Sequence, residues 1–141
     1  MYPVSNPLQL DLDRPLVYLI RITSPTREYR YVGKSSSRSR FEKAYQRNVR
    51  RIFEGKPKRP AVKRDGSPQS EHNLRYRWVH LALARAVEEG WTIEQFPVAN
   101  APKGTQLNAT EQQKIREFDC NLNSGPSWFI EDYSRYANQF S

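Results

Sequence analysis

Two tyrosines, Tyr18 and Tyr31, lie on neighbouring β-rich runs, and the second run ends in Gly33-Lys34 just before a segment rich in serine and arginine. A glycine there lets backbone approach a phosphate, and the amides of a helix N-terminus favour anions. The same residues also read as two ordinary cross-strand tyrosines and a turn glycine, and composition alone prefers that plainer reading. Three other residues divide in the same way. Arg40 stands among Arg38, Arg47, Arg50 and Arg51, and one arginine of such a run is usually solvated. Glu111 follows Asn108 at the N-cap to N3 spacing of a capping box, where a carboxylate only satisfies a backbone amide. Asn123, with Asn121 as its rival, precedes Ser124-Gly125 as a turn residue would. A basic loop of Lys56, Lys58, Arg59, Lys63 and Arg64, followed by Arg75, Tyr76, Arg77 and Trp78, offers a surface that holds phosphates without reading sequence. Its alternative is a solvated loop with Trp78 in the core.

These residues need a scaffold. Residues 16–22 form an apolar run of high strand propensity, and 28–33 return as a second strand after a turn at Ser24-Pro25-Thr26, making a hairpin. Ser35 to Ser39 offer helix N-caps. Phe41, Ala44, Tyr45, Val49, Ile52 and Phe53 then share one helical stripe, with Gly55 as its stop. Residues 56–70 read as a mobile loop with three prolines. A second amphipathic helix is expected over 71–89, with Leu74, Trp78, Leu81, Ala82 and Ala86 inward and Gly90 closing it. A third strand covers 91–98, where Pro97 marks an edge or a strand end. A turn at 101–104 and a third helix over 108–118, burying Ile115 and Phe118, complete the order. Such an order predicts an α+β domain, a small antiparallel sheet with helices packed around it.

At 141 residues the chain suits one domain with a modest core. Residues 1–15 form an extended leader, 16–124 the domain with a basic insertion at about 55–72, and 125–141 an aromatic segment packing on it with a short helix over 130–140. Three Trp, eight Tyr and six Phe argue against wholesale disorder. The net charge is +8, and a basic domain attracts polyanions because neutralised phosphates release counterions. No apolar run approaches the ~20 residues of a spanning helix, so no membrane partner is expected. The first ten residues lack a signal-peptide layout, which leaves a cytoplasmic location as the expectation. Cys120 is alone, which excludes an internal disulfide or a cysteine zinc site; a small buried filler near a helix end is expected. His72 and His80 lack a second histidine at ligand spacing and read as exposed or packing residues.

Leu16-Val17-Tyr18 and Tyr31-Val32-Gly33 resemble the two short motifs that name the GIY-YIG nucleases, at a similar hairpin separation. Lys34 matches a residue frequent after the second motif, and Arg40 the arginine of the following helix. Glu111 matches the metal-binding glutamate at a helix start, and Asn123 the asparagine closing that helix. Each motif is weak by itself, and their order over residues 16–123 carries the resemblance. Leu16 stands where glycine is usual, and Val replaces Ile in both motifs. Some members carry an assisting histidine or tyrosine one turn after the arginine; Ala44 holds that place here and Tyr45 is one residue beyond.

The resemblance implies a three-stranded antiparallel sheet flanked by helices and a divalent-metal-dependent endonuclease acting on duplex or branched DNA. It implies one Mg²⁺ or Mn²⁺ on Glu111, since hard cations take oxygen ligands and magnesium keeps several waters. Arg40 would clamp non-bridging oxygens. Tyr18 would be the general base, helped by Lys34 or Arg40 against its ordinary pKa of about 10. Tyr31 would position water or phosphate, and Asn123 would fix the glutamate helix or the phosphate. Lys34, Arg38, Lys56, Lys58, Arg59, Lys63, Arg64 and Arg75 would grip the DNA. The compact size suits a phage or mobile-element, restriction-type or repair enzyme, and double-strand cuts imply a homodimer or sequential nicks. Two readings from other classes stay open: a non-catalytic nucleic-acid-binding module on this scaffold, and an interaction protein whose charge is incidental.

Overall fold

A computed structural model describes residues 1–101 and 104–123, with the backbone alone described at residues 72, 104 and 105. Leu16–Thr23 (β1) pairs antiparallel with Glu28–Ser35 (β2) on one side and with Thr92–Asn100 (β3) on the other, giving the order β2-β1-β3. β1 is buried without interruption from Leu16 to Ile20, as expected of an apolar run covered on both faces. The fold is α+β, a three-stranded antiparallel sheet flanked by helices.

Arg38–Phe53 (α1) starts where the Ser37 side chain accepts the Arg40 N–H, an N-cap that satisfies one unpaired helix amide. Its inner stripe of Phe41, Tyr45, Val49 and Ile52 packs with Trp78–Glu89 (α3) over Leu16, Tyr18, Ile20, Ile22, Tyr29 and Tyr31. Gly90 closes α3 at φ 72°, a left-handed position that favours glycine. Gly104–Glu117 (α4) covers the opposite face, with Leu107 against Val17, Leu19 and Val32.

The structure departs from several sequence expectations. The helix expected over 71–89 is broken into Glu71–Leu74 (α2) and α3. The Leu74 carbonyl accepts the Lys58 N–H at 3.1 Å, and Arg75 and Arg77 are extended with ψ 146° and 163°. Phe53, expected on the inner stripe of α1, is 46 % exposed because the stripe closes one residue earlier. Trp78 and Leu74 are only partly buried, while His80 is a core residue at 3 % exposure. α4 begins at Gly104, so Asn108 is not an N-cap and Glu111 sits mid-helix. This removes the capping-box reading of Glu111 and also its expected place at a helix start.

The leader is not a detached tail. Tyr2 is buried, its hydroxyl donates to Gln95 Oε1 at 3.1 Å, and Val4 bridges Gln95 in parallel at the β3 edge. The proline-rich loop contains a small turn, with Lys63 N–H donating to the Ser67 carbonyl at 2.8 Å beside a Val62–Pro68 bridge. Pro97 lies on an edge strand as expected. Cys120 is half-buried just beyond α4. The side chain of His72, residues 102–103 of the expected turn, and the segment 125–141 with its expected helix lie outside the described residues. Among the described residues no helix is long and apolar enough to cross a membrane.

Candidate active site

The strand register sets the first half of the site. Tyr18 is paired with Gly33 across the hairpin and Ile20 with Tyr31, so Tyr18, Gly33 and Tyr31 point to the α1–α3 face. The Tyr18 ring lies across Gly33, and a Cβ there would meet its hydroxyl and stand 2.6 Å from Cζ. The described role of this glycine is therefore room for an aromatic ring, where the sequence suggested room for a phosphate. α1 brings Tyr45 onto the same spot. Its hydroxyl hydrogen-bonds that of Tyr18, and its ring meets those of Tyr18 at 5.7 Å and Tyr31 at 6.2 Å. Tyr45, one residue past the expected position, is thus central. The signal was available, since Phe41 and Tyr45 stand one helical turn apart on the buried stripe.

Burial pushes the Tyr18 phenol well above its ordinary value, with Tyr31 adding to the rise; the Tyr45 hydrogen bond, Arg77 and Arg40 oppose it. The Tyr45 phenol is likewise raised well above its ordinary value by burial, with Tyr18 and Tyr31 adding to the rise. Both hydroxyls stay protonated at neutral pH. The buried Tyr18 hydroxyl is held in a hydrogen bond with Tyr45, and two nearby cations do not outweigh its desolvation.

The second half lies on α4. Glu111 shares the sheet-facing stripe with Leu107 and Ile115, one turn to either side. Burial raises its carboxyl pKa, with Lys34 and Arg77 partly opposing. No hydrogen bond or ion pair from the described residues engages this carboxylate. Lys34 itself is exposed and donates to Asn108 Oδ1. Asn123 clamps the outer edge of β2: its Oδ1 accepts the Val32 N–H at 3.0 Å and its Nδ2 donates to the Val32 carbonyl at 2.8 Å. Asn121 treats Arg30 N–H and the Glu28 carbonyl alike, at 2.8 and 3.0 Å. The two asparagines therefore tie the chain leaving α4 to the hairpin, and both side-chain amides are committed to that strand.

Arg77 joins the two halves. Its guanidinium lies 5.7 Å over the Tyr31 ring, and its charge bears on Tyr18, Tyr45 and Glu111. It precedes α3, where its N–H donates to His80 Nδ1 at 3.2 Å. Burial, reinforced by Arg77 and Lys58, lowers the His80 pKa to about 3, so the ring stays neutral and can accept. The sequence offered Arg77 only as one of several cations after the loop.

The remaining cations separate into two groups. Arg38 is held by Asp13 at 2.9 and 3.1 Å, Lys56 by Glu54 at 2.7 Å and Arg75 by Glu71 at 2.6 Å. These exposed pairs are weak, but they leave the three charges locally balanced. Arg59, Lys63 and Arg64 are exposed with no ion-pair partner among the described residues, and so is Arg40. Lys58 is half-buried, and its pKa is lowered by burial and by Arg77 and Arg59.

Among the described residues no three His, Cys, Asp or Glu side chains gather as a metal-ligand group. Glu111 is a single half-buried carboxylate with no ion-pair partner among the described residues. Such a donor fits a magnesium-like ion that keeps most of its waters and completes its shell with substrate oxygens. Comparison of the chain with family models, with curated proteins and with solved structures finds no match.

Proposed function

We propose that this protein is a divalent-metal-dependent endonuclease that hydrolyses DNA phosphodiester bonds at the β2 edge. The observation that carries this reading is Arg77, a cation without an ion-paired carboxylate among the described residues, whose field reaches both the tyrosine cluster and Glu111. The ordered resemblance to GIY-YIG nucleases over residues 16–123 supports it. Glu111 would hold one Mg²⁺ or Mn²⁺, and when bound the ion supplies Lewis-acid stabilisation of phosphoryl charge. Arg40 and Lys34 neutralise the phosphate, Tyr31 orients it, and the Tyr18 hydroxyl, fixed by Tyr45, donates a hydrogen bond toward developing oxyanion charge. Arg59, Lys63 and Arg64 hold the flanking backbone without reading sequence. The same reading places the activity in the cytoplasm and makes double-strand cuts the work of two copies or of successive nicks.

Labelled duplex and branched DNA incubated with the protein and Mg²⁺ or Mn²⁺ should yield cleavage products, lost in EDTA. Tight, salt-sensitive binding with no product under either metal would replace this reading with a non-catalytic nucleic-acid-binding module. Absent binding would leave the interaction protein.

A further inference from the structure

We propose that Arg77 is a second phosphate-binding cation of this site, in addition to Arg40, placed there by the chain break before α3. The inference rests on the nuclease reading for its ligand, a phosphodiester anion. Its geometry stands independently. Arg77 is an exposed residue whose guanidinium is held over the Tyr31 ring at 5.7 Å, so the charge is pre-oriented by a cation–π contact. Its backbone is fixed by the bond to His80 Nδ1. His80 is held in turn by Asn48 at 3.2 Å at its other nitrogen, and by ring contacts with Tyr45 at 5.4 Å and Tyr76 at 5.9 Å.

Charge balance at this corner points to an anion. Arg77 and Arg59 both bear on Lys58, and Arg77 and Arg40 both bear on Tyr18. Neither arginine is in ion-pair contact with a carboxylate among the described residues. Like charges held close raise the free energy until an anion lies between them. A planar fork that offers parallel N–H donors suits the oxygens of a phosphodiester. The basic segment before α3 thus has a specific role: it ends by turning one guanidinium into the site, where a continuous helix over 71–89 would have placed residue 77 elsewhere.

The test compares wild type, R77Q, R77K and R77A with R27Q, a charge control in the turn at the other end of the hairpin. Binding of a fluorescein-labelled 30-bp duplex in EDTA is followed by anisotropy against KCl. R77Q should bind about tenfold more weakly, with the log–log salt slope reduced by about 0.9 for one lost phosphate contact; R27Q should match wild type in cleavage. Under single turnover with Mg²⁺, R77Q should be slowed about 100-fold and R77K partly. Free guanidinium should restore part of the R77A rate, an effect that a packing role would not produce. R77Q that binds and cuts like wild type overturns the proposal. A slow R77A that guanidinium leaves unchanged while its melting temperature falls also overturns it. A wild type that cuts while Arg77 variants are unaffected refutes Arg77 alone, whereas a wild type that never cuts refutes the nuclease reading.

Discussion

The two faces of the hairpin are built differently. On the α1–α3 side, Tyr18, Tyr31 and Tyr45 interlock over Gly33, and each is less than a tenth exposed. On the α4 side, Glu111 and Lys34 stand at the margin of a smaller apolar cluster. The first face pairs the hydroxyls of Tyr18 and Tyr45 with each other. The second offers a carboxylate that no described residue engages by hydrogen bond or ion pair, although the charges of Lys34 and Arg77 bear on it. Buried polar groups are stable when hydrogen-bonded, so under the proposed function the α4 side would take the ligand and the tyrosine face would supply the frame.

The largest expected disturbance is to the frame. G33V drives a branched side chain into the Tyr18 ring and should destabilise by on the order of 3 kcal/mol, as overpacking does. Urea unfolding checks this, and a variant as stable as wild type would mean that the ring has free space. Y45F leaves the Tyr18 hydroxyl without its buried partner and should cost about 1–2 kcal/mol; an unchanged midpoint would place water there. N123A removes two bonds to Val32 and should cost about 1–2 kcal/mol, with amide exchange at Val32 rising first.

pH separates the faces further. The His80 pKa in the fold is about 3, below the ordinary 6.5. The unfolded chain therefore takes up a proton that the fold refuses, and stability present above pH 6.5 is lost as pH falls toward 3. The slope should be on the order of 1 kcal/mol per pH unit and should flatten in H80Q. The Glu111 pKa is raised in the fold, so its contribution is present below the ordinary carboxylate range and is lost as pH rises through the raised value. At neutral pH the ionised group opposes folding, and E111Q should melt about 1–3 °C higher than wild type. A lower melting temperature would mean that the carboxylate is a structural partner.

Much of the fold was legible in the sequence because local signals agreed with tertiary placement. The apolar run of β1, the Ser37 cap, the stripe through Phe41, Tyr45 and Val49, and Gly90 each act within a few residues. The break at residues 75–77 was not legible, since it depends on the Lys58 N–H reaching the Leu74 carbonyl from a loop far along the chain. Arg77 was therefore missed as a central residue. Tyr18, Tyr31 and Gly33 were legible as a cross-strand group, but the burial that keeps Tyr18 protonated follows from α1 packing over it. Glu111 could have been sharpened from sequence: a carboxylate between Leu107 and Ile115 on a helical stripe faces the sheet, which a capping residue does not.

Under the proposed function, the Glu111 carboxylate on the α4 side is where a divalent ion makes this protein a nuclease. Supercoiled plasmid should be nicked by the wild type with Mg²⁺ or Mn²⁺, and not in EDTA. E111Q, folded and still binding DNA, should be slower by about 1,000-fold or more, as expected when a metal-holding carboxylate is lost. Equal nicking by E111Q and wild type would mean that Glu111 holds no catalytic ion.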